Sequence, residues 1–145
     1  MNLSSHFTLE ELTASDLAAR NGIDNSPDTP ALANLRVLAL SLEGVRSVLG
    51  NNPIHVNSGY RCPSLNSLLK SKATSAHVSG LAADIICPDF GTPLEVCIAI
   101  RDSGMAFDQV IHEFGSWCHF AIAHTGLIGR RETLTIDKTG TKYGL

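Results

Sequence analysis

The run Leu81-Ala82-Ala83-Asp84-Ile85-Ile86-Cys87 constrains this chain more than any other stretch, being apolar throughout except for one carboxylate. A short, compact apolar run of this kind reads as a buried strand. Asp84 then sits where an isolated ionised carboxylate is costly to desolvate, so the fold has to bring it a partner such as a metal ion or an arginine. Seven residues earlier, Ser75-Ala76-His77-Val78-Ser79-Gly80 offers His77 in a loop. Neutral imidazole and carboxylate are ordinary zinc ligands, and Gly80 between them lets the backbone pass close to an ion. On these residues alone the pair is either part of a metal site or a His–Asp hydrogen bond that fixes the loop.

The rest of the chain supplies material for one core. Its 145 residues are 43% hydrophobic and 17% charged, which predicts a single domain over residues 1–145 with no disordered tract. A formal charge of -3 argues against a broad footprint for nucleic-acid phosphates. No apolar run is long enough to cross a bilayer, and Met1-Asn2-Leu3-Ser4-Ser5-His6 lacks a basic stretch followed by an apolar one. Synthesis in the cytoplasm without a signal peptide is therefore expected. Cys62, Cys87, Cys97 and Cys118 form no Cys-x-x-Cys pair and read as small buried hydrophobes.

Thr8 with Glu11 three residues later is a capping-box pattern and predicts a short helix. After a turn-rich stretch from Asn21 to Thr29, Thr29-Pro30 opens a run with Leu32, Leu35, Leu38, Leu42, Val45 and Leu49 at helical spacing, stopped at Gly50. Ile54 to Asn57 alternates like a strand, Ser64 to Lys70 suits a short helix, and Ser71 to Gly80 reads as loop. Thr92-Pro93-Leu94-Glu95 is a second capping box, opening a helix to about Ser103. Phe107 to Phe114 and Cys118 to Ala123 read as strands joined around Gly115 and Ser116, with one more strand at Thr133 to Ile136. Segregated helices with antiparallel strands predict an α+β fold.

The stretch Ile111-His112-Glu113-Phe114-Gly115-Ser116-Trp117-Cys118-His119-Phe120 holds a second cluster. As a hairpin, an odd-numbered loop sets Glu113 opposite His119 on one face, whereas a two-residue loop pairs Glu113 with Cys118 and separates them. In the first register His112 and His124, taken as lying in the same strand as His119, point to the other face, as does Cys118. Trp117, the only tryptophan, is a substrate platform or a brace for the hairpin. Arg61, after Ser58-Gly59-Tyr60, reads by itself as a surface arginine capping a turn. His6 and His55 have no acidic or histidine neighbour at ligand spacing, and neither Ser58 nor Ser75 lies in a nucleophile elbow.

Taken together, Ser58-Gly59-Tyr60-Arg61, the Ser-x-His-x-x-Gly-x-Ala-x-Asp run ending at Asp84, and Trp117-Cys118-His119 resemble the ordered motifs of the zinc D-Ala-D-Ala carboxypeptidase family. The similarity is greatest to its small single-domain branch common in phage genomes, and runs from Phe7 through Arg131. It implies a Hedgehog/D,D-peptidase fold, in which a small antiparallel sheet carries the zinc and helices cover its other side. It also implies one Zn2+ per chain held by His77, Asp84 and His119, with a fourth position left for water or substrate. Arg61 would hold the substrate and stabilise the developing oxyanion, and Glu113 would carry the proton. Several relatives place that acid three residues before the last histidine, where this chain has Ser116. Other members of the superfamily place a glutamate six residues before it, the spacing of Glu113. Ser75 and Trp117 stand beside this set as candidate substrate contacts.

The resemblance thus implies a peptidase acting on the peptidoglycan stem peptide, at D-Ala-D-Ala or at L-Ala-D-Glu, as a monomeric phage lysin that meets the cell wall after release from the host cell. The competing expectation is a non-catalytic, zinc-stabilised module for wall binding or phage tail assembly.

Overall fold

The computed structural model describes residues 1–145. Both capping boxes form. Thr8 Oγ1 accepts from Glu11 N at 3.1 Å while the Glu11 carboxylate accepts from Thr8 N at 2.8 Å, opening helix α1 (Leu9–Thr13). Thr92 and Glu95 do the same for α5 (Pro93–Asp102). The long helix α3 (Thr29–Val48) starts where Asp28 accepts from Ala31 N at 2.9 Å and buries Leu35, Leu38, Leu42 and Val45 along one stripe. A short helix α4 (Pro63–Leu68) also follows the expected pattern. One helix was not foreseen: α2 (Asp16–Arg20), capped by Ser15.

Six strands make one sheet in the order β1-β2-β4-β3-β5-β6. They are β1 (His55–Ser58), β2 (Ala82–Ile86), β3 (Gln109–Glu113), β4 (Trp117–Ala121), β5 (Glu132–Asp137) and β6 (Gly140–Tyr143). All pairings are antiparallel, as expected, except β3 with β5, which is parallel. The reason lies in the crossover over residues 122–131. Leaving β4 beside the start of β3, the chain rounds that end and runs alongside β3 from Gln109↔Glu132 onward. Arg130 clamps Asp108 through Nε at 3.0 Å and Nη2 at 2.9 Å, and Arg131 N donates to Phe107 O at 3.1 Å. The last strand, β6, also lay outside the expected elements.

Strand alternation divides the sheet into two faces. Ala83 and Ile85 of β2, Val110 of β3, and Cys118 and Phe120 of β4 are fully buried and join Leu38, Leu42, Val96 and Ile100 in one hydrophobic cluster. Helix α5 lies on β2, β3 and β4, and α3 packs against α5. The opposite face presents Asp84, His119, Ile111, Glu113 and Trp117 on adjacent strands. The four cysteines are buried and unbridged. No helix is long and apolar enough to cross a membrane.

Candidate metal centre

His77 stands on a 3-10 turn (Ala76–Ser79) within the segment expected to be loop. Ser75 Oγ caps this turn by accepting from His77 N at 3.3 Å, and Asn34 of α3 donates to Ser79 O at 2.8 Å. Gly80 closes it at φ +74°, where a Cβ would come within 2.7 Å of Ala31 O. Only glycine lets the turn seat this closely on α3. Asp84 and His119 meet as direct cross-strand partners of β2 and β4. The three side chains are all buried, and His77 Nε2 and His119 Nδ1 lie 3.4 Å and 3.0 Å from the same oxygen, Asp84 Oδ1. One ligand atom from each residue falls within 4.8 Å of the others.

The hydrogen bonding around His77 tests whether these residues suit a cation. Burial drives its imidazole toward the neutral form, which has one N–H for two acceptors. Nδ1 lies 2.7 Å from Gly59 O and Nε2 lies 3.4 Å from Asp84 Oδ1. The shorter contact takes the proton, so Nδ1–H donates to the carbonyl and the Nε2 lone pair faces a carboxylate. Burial by itself would push Asp84 up, but the hydrogen bond from His119 Nδ1 at 3.0 Å opposes it, and the carboxyl lies well below its usual range. Two electron-rich atoms thus face one another in a buried site, and a bound cation satisfies both. A nitrogen–oxygen–nitrogen set of three protein donors is the kind that holds catalytic zinc, whose fourth position takes water or substrate.

Around this trio stand Glu113, Trp117 and Arg61. The β3–β4 turn has three residues, Phe114 to Ser116, so the odd register holds and Glu113 shares a face with His119. Direct opposition was expected, and it does not occur. A loop this short pairs Glu113 with Trp117 and Ile111 with His119, leaving Glu113 diagonal to the histidine. Glu113 Oε1 is 3.8 Å from His119 Nδ1, and Oε2 accepts from Trp117 Nε1 at 3.2 Å. Burial pushes the Glu113 carboxyl up, and the nearby Asp84 charge adds to this. Arg61 is half-buried, not a surface residue. Its N–H donates to His77 O at 3.1 Å, and its Nε is enclosed without a hydrogen-bond partner. Burial draws its guanidinium down, opposed by the charges of Asp84 and Glu113.

The remaining histidines stand apart from the site. His112 pairs with Cys118 on the helix-covered face, and His55 is exposed on β1. His124 is exposed in the crossover, because β4 ends at Ala121 and does not reach it. His6, which has no acidic residue at ligand spacing in the sequence, contacts Glu43 Oε1 through Nδ1 at 2.7 Å, a pairing between distant segments.

From His119 a groove of about 930 Å3 crosses the open face of the sheet over Ile111, Ala121 and Leu134. One wall comes from Lys72, Thr74 and Ser75, the other from Leu127, Ile128 and Arg130 of the crossover. Two parts of this site were missed in the sequence. The crossover wall follows from strand order, which no local pattern encodes. The Gly59 carbonyl is a backbone atom, marked only by its place within Ser58-Gly59-Tyr60-Arg61.

Compared with known protein families, the chain matches a family described as Peptidase M15 over residues 5–121. The match contains all the residues gathered at the trio and stops before the crossover, β5 and β6. No curated protein matches the chain.

Proposed function

This chain belongs to the Peptidase M15 family, the zinc D-Ala-D-Ala carboxypeptidases, and on that premise we propose that it hydrolyses peptide bonds in the stem peptides of bacterial peptidoglycan. The observation that carries the reading is the meeting of His77, Asp84 and His119 at one end of a long groove, with Glu113 on the same sheet face. Those three residues would hold the zinc. Zinc there supplies the Lewis acidity that activates water near neutral pH.

The protein's own groups do the rest. The Glu113 carboxylate takes the proton of the attacking water and returns it to the leaving amine, a transfer its partly desolvated position favours. Arg61 turns its planar guanidinium toward the oxyanion that develops on the attacked carbonyl. The groove seats several stem residues on one side of the scissile bond, as cleavage at either D-Ala-D-Ala or L-Ala-D-Glu requires. Ser75, on the groove wall, contacts that segment.

Incubating the zinc-loaded protein with purified peptidoglycan and reading the released fragments by mass spectrometry tests the proposal and assigns the bond. The expected result is new stem-peptide termini; none from wild type overturns the reading. Equal cleavage by Glu113→Ala removes Glu113 from the mechanism, and retention of one zinc per chain by His77→Ala overturns the ligand set.

The reading extends to a phage lysin, working as a monomer of one domain. It is made in the host cytoplasm and meets the wall once the membrane is breached, a role supported by the resemblance to the branch common in phage genomes. Permeabilised bacteria should lose turbidity on addition of the zinc-loaded protein, and stable turbidity overturns the lytic role.

A further inference from the structure

We propose that Trp117 is a positioning residue that holds the Glu113 carboxylate through its indole N–H, and is not a platform for substrate. The proposal rests on the reading of Glu113 as the proton carrier. Trp117 and Glu113 are direct partners across the three-residue turn, and the 3.2 Å bond from Nε1 to Oε2 ties one carboxylate oxygen. The other, Oε1, is thereby turned toward the trio, 3.8 Å from His119 Nδ1. Indole has a single donor and no acceptor, so it can hold the carboxylate only this way round. As a neutral donor it fixes the geometry without neutralising the negative charge that the carboxylate needs to accept a proton.

The turn itself is built to keep this pair in register. Phe114 and Gly115 both take positive φ, +53° and +64°, and Ser116 N donates back to Glu113 O at 2.9 Å. Phe114 N donates to Ile136 O at 2.7 Å, which fastens the turn to β5. The Phe114 ring rests tilted against the indole, with centroids 6.0 Å apart. The groove that leaves His119 is lined by other residues, so the indole lies off that path.

Because the chain has one tryptophan, its indole N–H gives one resonance in a 1H–15N spectrum. In the full-length zinc-loaded protein, Glu113→Gln should move that resonance, and an unmoved resonance overturns the proposal. This arm needs no substrate, so it separates failure of the positioning role from failure of the peptidase reading. In the kinetic arm, Trp117→Phe should lower kcat on a stem peptide about tenfold or more, with KM held within about twofold. A raised KM at unchanged kcat identifies a substrate platform and overturns the proposal. In the Glu113→Ala background the same change should cost nothing further, and an undiminished loss there also overturns it. Should Trp117→Phe fail to fold, the resonance in Glu113→Gln decides alone.

Discussion

Gly59 carries no side chain, yet its carbonyl determines which nitrogen of His77 keeps a proton, because the Nδ1 contact at 2.7 Å leaves only Nε2 with a lone pair directed inward. The carbonyl is held in place by its neighbours: Tyr60 N donates to Leu12 O at 2.8 Å and Arg61 N to His77 O at 3.1 Å. A Cβ on residue 59 would lie 2.3 Å from Leu12 O, so the segment can approach α1 this closely only as glycine. Gly59→Ala should therefore weaken zinc binding about 10- to 100-fold, the scale of losses beyond the ligand shell, as read by competition with a chelator. Unchanged affinity would show that the carbonyl does not orient His77. At this scale the ligand-type side chains were legible, since imidazole and carboxylate recur in an ordered pattern around Asp84. The carbonyl was not, because every residue has one and only the fold chooses which is used.

Among the elements, the crossover between β4 and β5 depends on a pair that titrates. The hydrogen bond from Arg130 holds Asp108 below the usual carboxylate range, against a smaller opposing effect of burial. A carboxyl whose folded pKa is depressed contributes stability above its unfolded value of about 3.9 and loses it as pH falls through the folded value. Asp108→Asn should cost about 0.5–1 kcal/mol at pH 7, the scale of a partly exposed ion pair, and the gap from wild type should close below about pH 4. Urea denaturation at several pH values checks this, and a gap independent of pH would assign the loss to something other than the charge.

Sequence patterns read the elements unevenly, for identifiable reasons. Helices α3 and α5 and strand β2 carry their own signals in caps, period and apolar run. Helix α2 is five residues long, too short to show a period, and its only local marker is the Ser15 cap. Strand β6 is exposed at all four positions, so no alternation marks it; it forms because β5 offers a free edge. The parallel pairing of β3 with β5 depends on where a loop returns, which hydrophobic pattern does not record.

Across the whole molecule, stability and site chemistry occupy opposite sides of one sheet. Leu42 is fully buried in the helical layer, and Leu42→Ala should cost about 2–5 kcal/mol in urea denaturation while the folded protein still takes up zinc. Loss of zinc from protein that remains folded would mean that the layers are coupled more tightly than their separation suggests. The arrangement around His77 also has a consequence for the solvent. His77 is already neutral with its lone pair inward, and Asp84 is already ionised, so neither has a proton to surrender when an ion enters near neutral pH. Calorimetry of zinc uptake in buffers of different ionisation enthalpy should therefore show no more than about one proton released per zinc, the share of the water that the metal activates, and a larger release would contradict the protonation states assigned to His77 and Asp84. Folding has then completed the acid–base work of capture at two of the three ligands before any ion arrives.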